Sequence, residues 1–268
     1  MKILVLFILL SSLLLSDTLK FGVISTVDVQ IMEKKMQPLI DYLEKKVGHT
    51  VVFHTGRDYE DTINKFSDNT YDFGYIGPAP YVLATSKKKN LKILAGLETN
   101  NEKTFSSAII VKKDSNIRSI KQLADKTIAF GSPSSTLSYY VPKYILIKEG
   151  MASKISDEYF LGAHDRVAEY VIMGRYDAGG VKKSVAKMYE KYIDVIKVSE
   201  PIYDFCIVAN TNLDSKIQTD IQKALLELKD KQILSSIKQG ATGFGFREDS
   251  DYDNLRSIMK EVQEYSSN

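Results

Sequence analysis

The segment "GSPSSTLSYYVP" (residues 131–142) concentrates small hydroxyl side chains at one turn. Ser134, Ser135, Thr136 and Ser138 stand between a short apolar run and a tyrosine-rich stretch of helical character. Hydroxyl donors at a helix start, together with the unpaired N–H groups and partial positive charge found there, form an anion site that needs no lysine or arginine. Phosphate-like groups suit such a site. The alternative is ordinary N-capping, which needs only one such residue.

Two other parts of the chain carry side chains that could complete an anion site. Tyr59 could donate its phenol, and His164 would bind an anion best when protonated, through a charge-assisted hydrogen bond. Tyr75, Ile76 and Gly77 follow a buried strand, and we expect them to reach the same region, with Gly77 allowing backbone to approach the ligand. A lone histidine is often structural, and Tyr75 could equally be a core residue.

The elements that must position these residues follow a regular order. Short β-rich runs alternate with helical patterns from "LKFGVIST" (19–26) to "YDAGGV" (176–181), and helical segments extend from Gln218 to Glu264. This alternation predicts an α/β protein built of parallel βαβ units.

The two halves of this pattern match in spacing. Gly22 and Gly131 each precede a pair of hydroxyl residues by three and four positions. Tyr59 lies thirteen residues before Asp72, and His164 lies thirteen before Asp177. We interpret this as one unit used twice, once in each of two lobes, with chance coincidence as the alternative.

The repeat predicts where a ligand binds. Ligands of open parallel sheets bind beyond the carboxyl ends of the strands, where the hydroxyl, Tyr59 and His164 loops fall. Extended segments after residue 104 and before residue 205 could cross between lobes and form a two-strand hinge that permits closure. We therefore predict a signal peptide over 1–16, a first lobe over 17–104 plus 205–268, and a second lobe over 105–204.

The first residues have the layout of a secretory signal. Lys2 precedes an apolar block that ends near Ser16, and Ile3–Leu15 is shorter than the roughly 20 residues that span a bilayer. We expect cleavage near Ser16 and export to the periplasm, with an uncleaved anchor as the alternative. The remaining chain has 35 basic and 34 acidic residues, which gives no sign of a nucleic-acid partner.

The few cysteines and histidines limit the possible chemistry. Cys206 is the single cysteine, so no internal disulfide forms, and its apolar neighbours favour a buried hydrophobe over a reactive thiol. The three histidines are widely spaced, so we predict no metal site and no cofactor. Ser135 and His164 could be imagined as nucleophile and base, but no orienting third residue is evident, so we predict that the chain is not an enzyme.

Five segments together resemble the PhnD-type phosphonate-binding proteins, over nearly all of the mature chain. They are "LKFGVIST", "YDFGYIGPAPYVLA", "GSPSSTLSYYVP", "GAHDRVAEYVIMGRYDAG" and "SEPIYDFCIV". The resemblance implies a periplasmic receptor of an ABC transporter with the two-lobed type II periplasmic-binding-protein fold, a two-strand hinge and an interlobe ligand cleft. It also implies that Ser135 and Thr136 bind the phosphonate oxygens, with Tyr59 and His164 as further contacts.

The chain departs from the pattern of that family at three places. Leu137 replaces a hydroxyl residue, although it still offers its N–H. The family's glutamate, which contacts the amino group of aminoalkylphosphonates, is missing, with Ser184 near its place. The aspartate of the returning strand is Asp204, one position early. The departures favour a small ligand such as phosphite, methylphosphonate or phosphate.

Two partners fit these expectations. The chain would deliver a phosphorus oxyanion to an ABC permease in the inner membrane, or a periplasmic sensory subunit would present it to a sensor histidine kinase. We expect a monomer in either case.

Overall fold

The computed structural model describes residues 18–24 and 28–267. The predicted signal peptide, and Ser25 and Thr26 of the first hydroxyl loop, lie outside the described residues. The strands are β1 Leu19–Val23, β2 Val51–His54, β3 Phe73–Ile76, β4 Leu91–Thr99, β5 Thr104–Phe105, β6 Ser107–Lys112, β7 Thr127–Phe130, β8 Asp157–Phe160, β9 Ala178–Lys182, β10 Ile193–Val198, β11 Ile202–Tyr203, β12 Cys206–Asn210 and β13 Ala241–Gly245. The α-helices are α1 Val29–Val47, α2 Tyr59–Ser67, α3 Pro78–Lys87, α4 Val141–Lys148, α5 His164–Ile172, α6 Lys183–Met188, α7 Ser215–Glu227, α8 Lys231–Ile237 and α9 Asp253–Ser267.

The strands form two main sheets, each with helices packed on it. The sheet of lobe 1 has six strands in the order β13-β4-β12-β3-β1-β2, and the sheet of lobe 2 has five in the order β10-β6-β9-β7-β8. Strands β5 and β11 pair with each other between the two sheets, where the chain crosses. This is the expected two-lobed α/β architecture with a two-strand connection. The residue boundaries of the lobes stay a prediction.

The repeat expected from the spacing is present in the topology. Strand β1 lies between β2 and β3 and is parallel to both, and β7 lies in the same way between β8 and β9. Tyr59 is the first residue of α2 and His164 is the first residue of α5, so the two side chains occupy equivalent positions in the two units.

Outside these parallel units, each sheet also contains antiparallel strands, which the alternation did not predict. Strand β12 is antiparallel to β3 and β4, and β6 is antiparallel to β9 and β10. The region from Gln218 to Glu264, predicted as helical, contains strand β13, which is antiparallel to β4. Its "ATGFG" sequence has too few apolar residues for a clear strand signal, and the pairing with β4 determines its conformation.

Local sequence explains the first helix. Asp28 caps α1 by accepting a hydrogen bond from the N–H of Gln30, and Gly48 ends the helix in the left-handed region with φ of 72°. The apolar side chains at helical spacing face the core, as the periodicity predicts. They are Met32, Met36, Leu39, Ile40 and Leu43. No helix among residues 18–24 and 28–267 has the length and apolar character needed to cross a membrane.

Candidate functional site

The hydroxyl-rich turn begins a continuous helical segment. One π-helical turn, Thr136–Tyr140, leads directly into α4. The turn is wide because the N–H of Tyr140 bonds to the carbonyl of Ser135, five residues earlier, at 3.1 Å. Pro142, which has no N–H to donate, favours such a turn. Because Thr136 and Leu137 are the first residues of the segment, their N–H groups have no acceptor within the helix and can serve a ligand.

Ser135 is the cap of this segment. Its Oγ accepts a hydrogen bond from the N–H of Ser138, at 3.2 Å, and lies 3.3 Å from Nε2 of His164. Ser135 is therefore both an N-cap and part of a polar cluster, so the two interpretations of the turn are not exclusive. Thr136 lies beside it, and both residues are 6% exposed.

The hydroxyl of Ser138 has a different role from the one predicted. Its Oγ accepts a hydrogen bond from the N–H of Gly131, at 2.7 Å, and donates to the carbonyl of Gly180. These bonds join the turn to the end of β7 and to the middle of β9, and Ser138 is completely buried. A Cβ at position 131 would lie 2.9 Å from this Oγ, so glycine is required for the contact. Ser138 therefore supports the turn, and its hydroxyl is used within lobe 2.

The imidazole of His164 is oriented by the backbone of strand β9. Its Nδ1 accepts a hydrogen bond from the N–H of Lys182, at 3.0 Å. In the neutral ring, Nε2 then carries the proton and points its donor toward Ser135. Burial, and after it the charge of Lys182, lowers the pKa of His164 well below its ordinary value. His164 thus presents a neutral N–H donor, without the positive charge that would make its hydrogen bond to an anion strongest.

This protonation pattern bears on catalysis. A histidine that activates a serine must accept the hydroxyl proton on the nitrogen that faces it. Here that nitrogen holds a proton, because a backbone N–H occupies the lone pair of Nδ1. Ser135 and His164 are thus not arranged as nucleophile and base, because the Nε2 proton already points at the Oγ of Ser135.

Lobe 1 approaches the turn directly. The N–H of Ala79, in the first turn of α3, donates to Oγ1 of Thr136, at 2.9 Å. Because Oγ1 of Thr136 is the acceptor in this bond, the bond does not use the hydroxyl proton of Thr136. Burial raises the pKa of Tyr59, which stays a neutral donor.

These residues enclose a small central cavity of about 20 Å³. It lies between the two lobes and contains six of the predicted site residues. Its lining consists of Ile24, Tyr59, Gly77, Pro80, Phe105, Ser135, Thr136, Leu137, His164, Lys182 and Phe205. A space of this size holds about one water molecule.

The other predicted site residues lie outside the central cavity. Tyr75 stacks on Phe205 with ring centroids 4.8 Å apart, and Ile76 is fully buried in the core. Ser134 lines a neighbouring open cavity of about 560 Å³ between the lobes. Asp204 is also fully buried, where it pairs with Lys238 and accepts the N–H of Phe205, at 2.7 Å.

Sequence reasoning missed two residues that matter here. The ring of Phe205 forms a wall of the cavity, and it would lie 3.0 Å from a Cβ at position 77, so Gly77 makes room for Phe205. Lys182 brings an ammonium group to the cavity, 5.4 Å from the centroid of the same ring. The pairs Asp204–Phe205 and Lys182–Lys183 are visible in the sequence, but only the fold shows which member of each pair faces the cavity.

Cys206 is the buried hydrophobe that its neighbours predict. It is fully buried in β12, and burial raises the pKa of its thiol to about 12. In the part of the chain that the structure describes, no three His, Cys, Asp or Glu side chains group together in a way that could hold a metal ion.

A much larger cavity among the described residues lies elsewhere. It has a volume of about 1000 Å³ and opens on the surface of lobe 1, along α3, β4 and α9. Tyr81, Asp249 and Arg256 are among its lining residues. It contains none of the donors that converge between the lobes, so its size alone does not make it the ligand site.

Comparison with known proteins agrees with this geometry. Residues 21–252 match the family described as the periplasmic substrate-binding protein of phosphonate ABC transporters. The chain belongs to this family. Proteins of the phosphonate-binding family are periplasmic, bind a small ligand for a membrane permease and are not enzymes.

Individual relatives are distant but cover most of the chain. The probable phosphite-binding protein PhnD1 of Prochlorococcus marinus is 25% identical, over 91% of this chain and 89% of its own length. The phosphate-import protein PhnD of Mycolicibacterium smegmatis is 26% identical, over 61% of this chain and 54% of its own. The structure of P. marinus PhnD1 in complex with methylphosphonate superposes with a TM-score of 0.81 at 22% identity, and it covers 92% of this chain and 98% of that one.

Proposed function

We propose that this phosphonate-binding family member captures a small phosphorus oxyanion, such as a phosphonate, phosphite or phosphate group, for an inner-membrane ABC permease. The observation that carries the proposal is the polarity of the central cavity. Every polar group assigned there can donate: the N–H groups of Thr136 and Leu137, the hydroxyls of Ser135 and Thr136, and the Nε2–H of His164.

A site made of donors selects a ligand whose oxygens are all acceptors. A tetrahedral phosphorus group presents three or four such oxygens in a small volume, and helix N-termini favour its negative charge. The distant relatives support the same ligand class, since the P. marinus and M. smegmatis proteins are named for phosphite binding and phosphate import.

We propose capture by lobe closure. The ligand docks on Ser135 and Thr136 of lobe 2, and Tyr59 of lobe 1 then covers it. The Ala79–Thr136 hydrogen bond across the cleft would form only in the closed form, and it is one of the contacts that favour closure. Small-angle scattering should therefore show a smaller radius of gyration when ligand is added.

A thermal-shift and calorimetry panel tests the ligand class. It compares phosphate, phosphite, methylphosphonate and 2-aminoethylphosphonate with sulfate and arsenite. A ligand present at about 100 times its Kd adds about 2.7 kcal/mol to the free energy of unfolding. For a chain of this size that raises the Tm by roughly 5–10 °C. Absence of a shift with all four phosphorus compounds, or an equal affinity for sulfate, would contradict the proposal.

Turnover is measured in the same samples. Incubation with each phosphonate should release no phosphate, because the proton on Nε2 of His164 prevents activation of Ser135. Sustained phosphate release would contradict the binding role.

A further inference from the structure

A second compartment adjoins the central cavity. It has a volume of about 170 Å³, against about 20 Å³ for the central cavity. The two spaces share the wall formed by Ile24, Lys182 and Phe205. The second compartment is therefore the neighbouring space that the remaining atoms of a ligand would enter if its phosphorus group lies in the central cavity.

The polar lining of this compartment is basic. It contains three lysines, Lys35 from α1, Lys182 from the end of β9 and Lys238 from the end of α8, together with Gln239. Among the described residues, no aspartate or glutamate lines it. The rest of the lining is apolar or aromatic and consists of Ile24, Met32, Met36, Tyr75, Phe205 and Ile237.

The lysines differ in their partners. Lys238 forms an ion pair with the buried Asp204, which removes that carboxylate from any role toward a ligand amine. Lys182 has no carboxylate oxygen within 4.0 Å in the described part of the chain. Its backbone is held by the bond to His164 and by pairing with Ser107 in strand β6, so its ammonium group is directed from a fixed position on the wall between the two spaces.

We infer that the ligand of this protein carries a second acidic group, a carboxylate or a second phosphorus group, which Lys182 and Lys35 bind in the second compartment. The inference rests on the proposed function, because it takes the phosphorus group in the central cavity as given. An amine tail would meet like charges there and no free carboxylate. An acidic tail would give Lys182 the anionic partner that it lacks within 4.0 Å among the described residues.

The electrostatics of Lys182 agree with this inference. Burial, and after it the charge of Lys238, lowers the pKa of Lys182 to about 8. Burial makes the charged form of this ammonium group less stable than it is in water. An anionic partner therefore stabilises it more than the same partner would stabilise the ammonium group of an exposed lysine.

Calorimetry on the wild-type protein tests the inference with probes that share one phosphonate group. Methylphosphonate has no tail, ethylphosphonate has a neutral tail, phosphonoacetate adds a carboxylate, methylenediphosphonate adds a second phosphorus group and 2-aminoethylphosphonate adds an amine. If the acidic tail forms one charge-assisted hydrogen bond with Lys182, phosphonoacetate or methylenediphosphonate should bind about tenfold more tightly than ethylphosphonate. The amine should bind more weakly than ethylphosphonate.

Variants locate the effect. In Lys182→Met the ratio of phosphonoacetate to ethylphosphonate affinity should fall to about one, and in Lys35→Met it should fall in part. Lys183→Met is the matched control, because Lys183 is exposed and lines neither space, and it should keep the wild-type ratio. The backbone N–H that orients His164 remains in all three variants.

The outcomes separate the two proposals. If methylphosphonate binds but an acidic tail adds nothing, or the amine binds more tightly, the inference about the tail is overturned and the proposed function stands. If no phosphonate binds the wild-type protein, the inference about the tail is overturned, and the proposed function is overturned with it only if phosphate and phosphite also fail to bind. Loss of the ratio in Lys183→Met would place the acidic tail outside the second compartment and would also overturn the inference.

Discussion

Replacing Ser135 and Thr136 together by alanine removes two hydroxyl donors from the central cavity and keeps the backbone N–H groups of the turn. Each hydrogen bond to a charged ligand contributes about 1.5–3 kcal/mol. Neighbouring contacts are not additive, so the expected loss lies between one bond and two, about 1.5–6 kcal/mol. Since 1.4 kcal/mol is about a factor of ten, the affinity for methylphosphonate should fall about tenfold or more.

The same double substitution also affects folding. The N–H of Ser138 loses its cap, at about 0.5–2 kcal/mol of the free energy of unfolding. The N–H of Ala79 loses its acceptor on Thr136 in the closed form, so that cost of about 1–3 kcal/mol opposes closure and adds to the loss of affinity. Typical domain stabilities are about 5–15 kcal/mol, so the variant should remain folded with a lower Tm.

Isothermal titration calorimetry measures the affinity, and circular dichroism checks the fold. Ser134→Ala is the matched control, because its hydroxyl belongs to the same turn but lines the neighbouring open cavity. Methylphosphonate should bind this control as tightly as it binds the wild type. An unchanged affinity in the double variant, or an equal loss in Ser134→Ala, would refute the assignment of the turn.

Because His164 is held neutral, its NMR signals should not titrate near pH 6.5, and a His164→Gln variant identifies those signals. A titration midpoint near pH 6.5 would contradict the neutral ring with its proton on Nε2. An unfolded histidine binds a proton below about pH 6.5. The free energy of unfolding should therefore fall as the pH drops through that value, and less so in His164→Gln. With a thiol pKa of about 12, Cys206 should react with a thiol reagent at pH 8 only after unfolding in urea, and rapid labelling of the folded protein would refute its burial. Asp204→Ala should lower the free energy of urea unfolding by about 3–5 kcal/mol because it leaves Lys238 unpaired, and adding Lys238→Met should recover part of the loss; a loss under about 1 kcal/mol would contradict the pairing.

Much of the site could be predicted because its residues occupy helix starts. A helix start requires a capping residue and exposes N–H groups, and both leave a visible pattern in the sequence. The thirteen-residue spacing that related Tyr59 to His164 corresponds to equivalent first positions of α2 and α5. The capping pattern and the repeated spacing were therefore sufficient to predict the residues of the central cavity that lie at helix starts.

Other features depend on contacts between distant segments. Which of Lys182 and Lys183 faces the cavity depends on the side-chain alternation of β9 and on which face of the sheet is covered. The protonation of His164 depends on a backbone donor eighteen residues away. The antiparallel strand β13 is defined by its pairing with β4, across more than a hundred residues. None of these leaves a local pattern.

The donors of the central cavity are unevenly divided between the lobes. Among the described residues, lobe 2 supplies the turn of Ser135 and Thr136, and also His164, whereas lobe 1 supplies Tyr59 and otherwise apolar or backbone surface. If the ligand docks on lobe 2 before closure, as proposed, the two lobes govern different steps of an encounter. Changes on lobe 2 would slow the first attachment of a solute, whereas changes at Tyr59 would shorten its residence time and leave the association rate nearly unaltered.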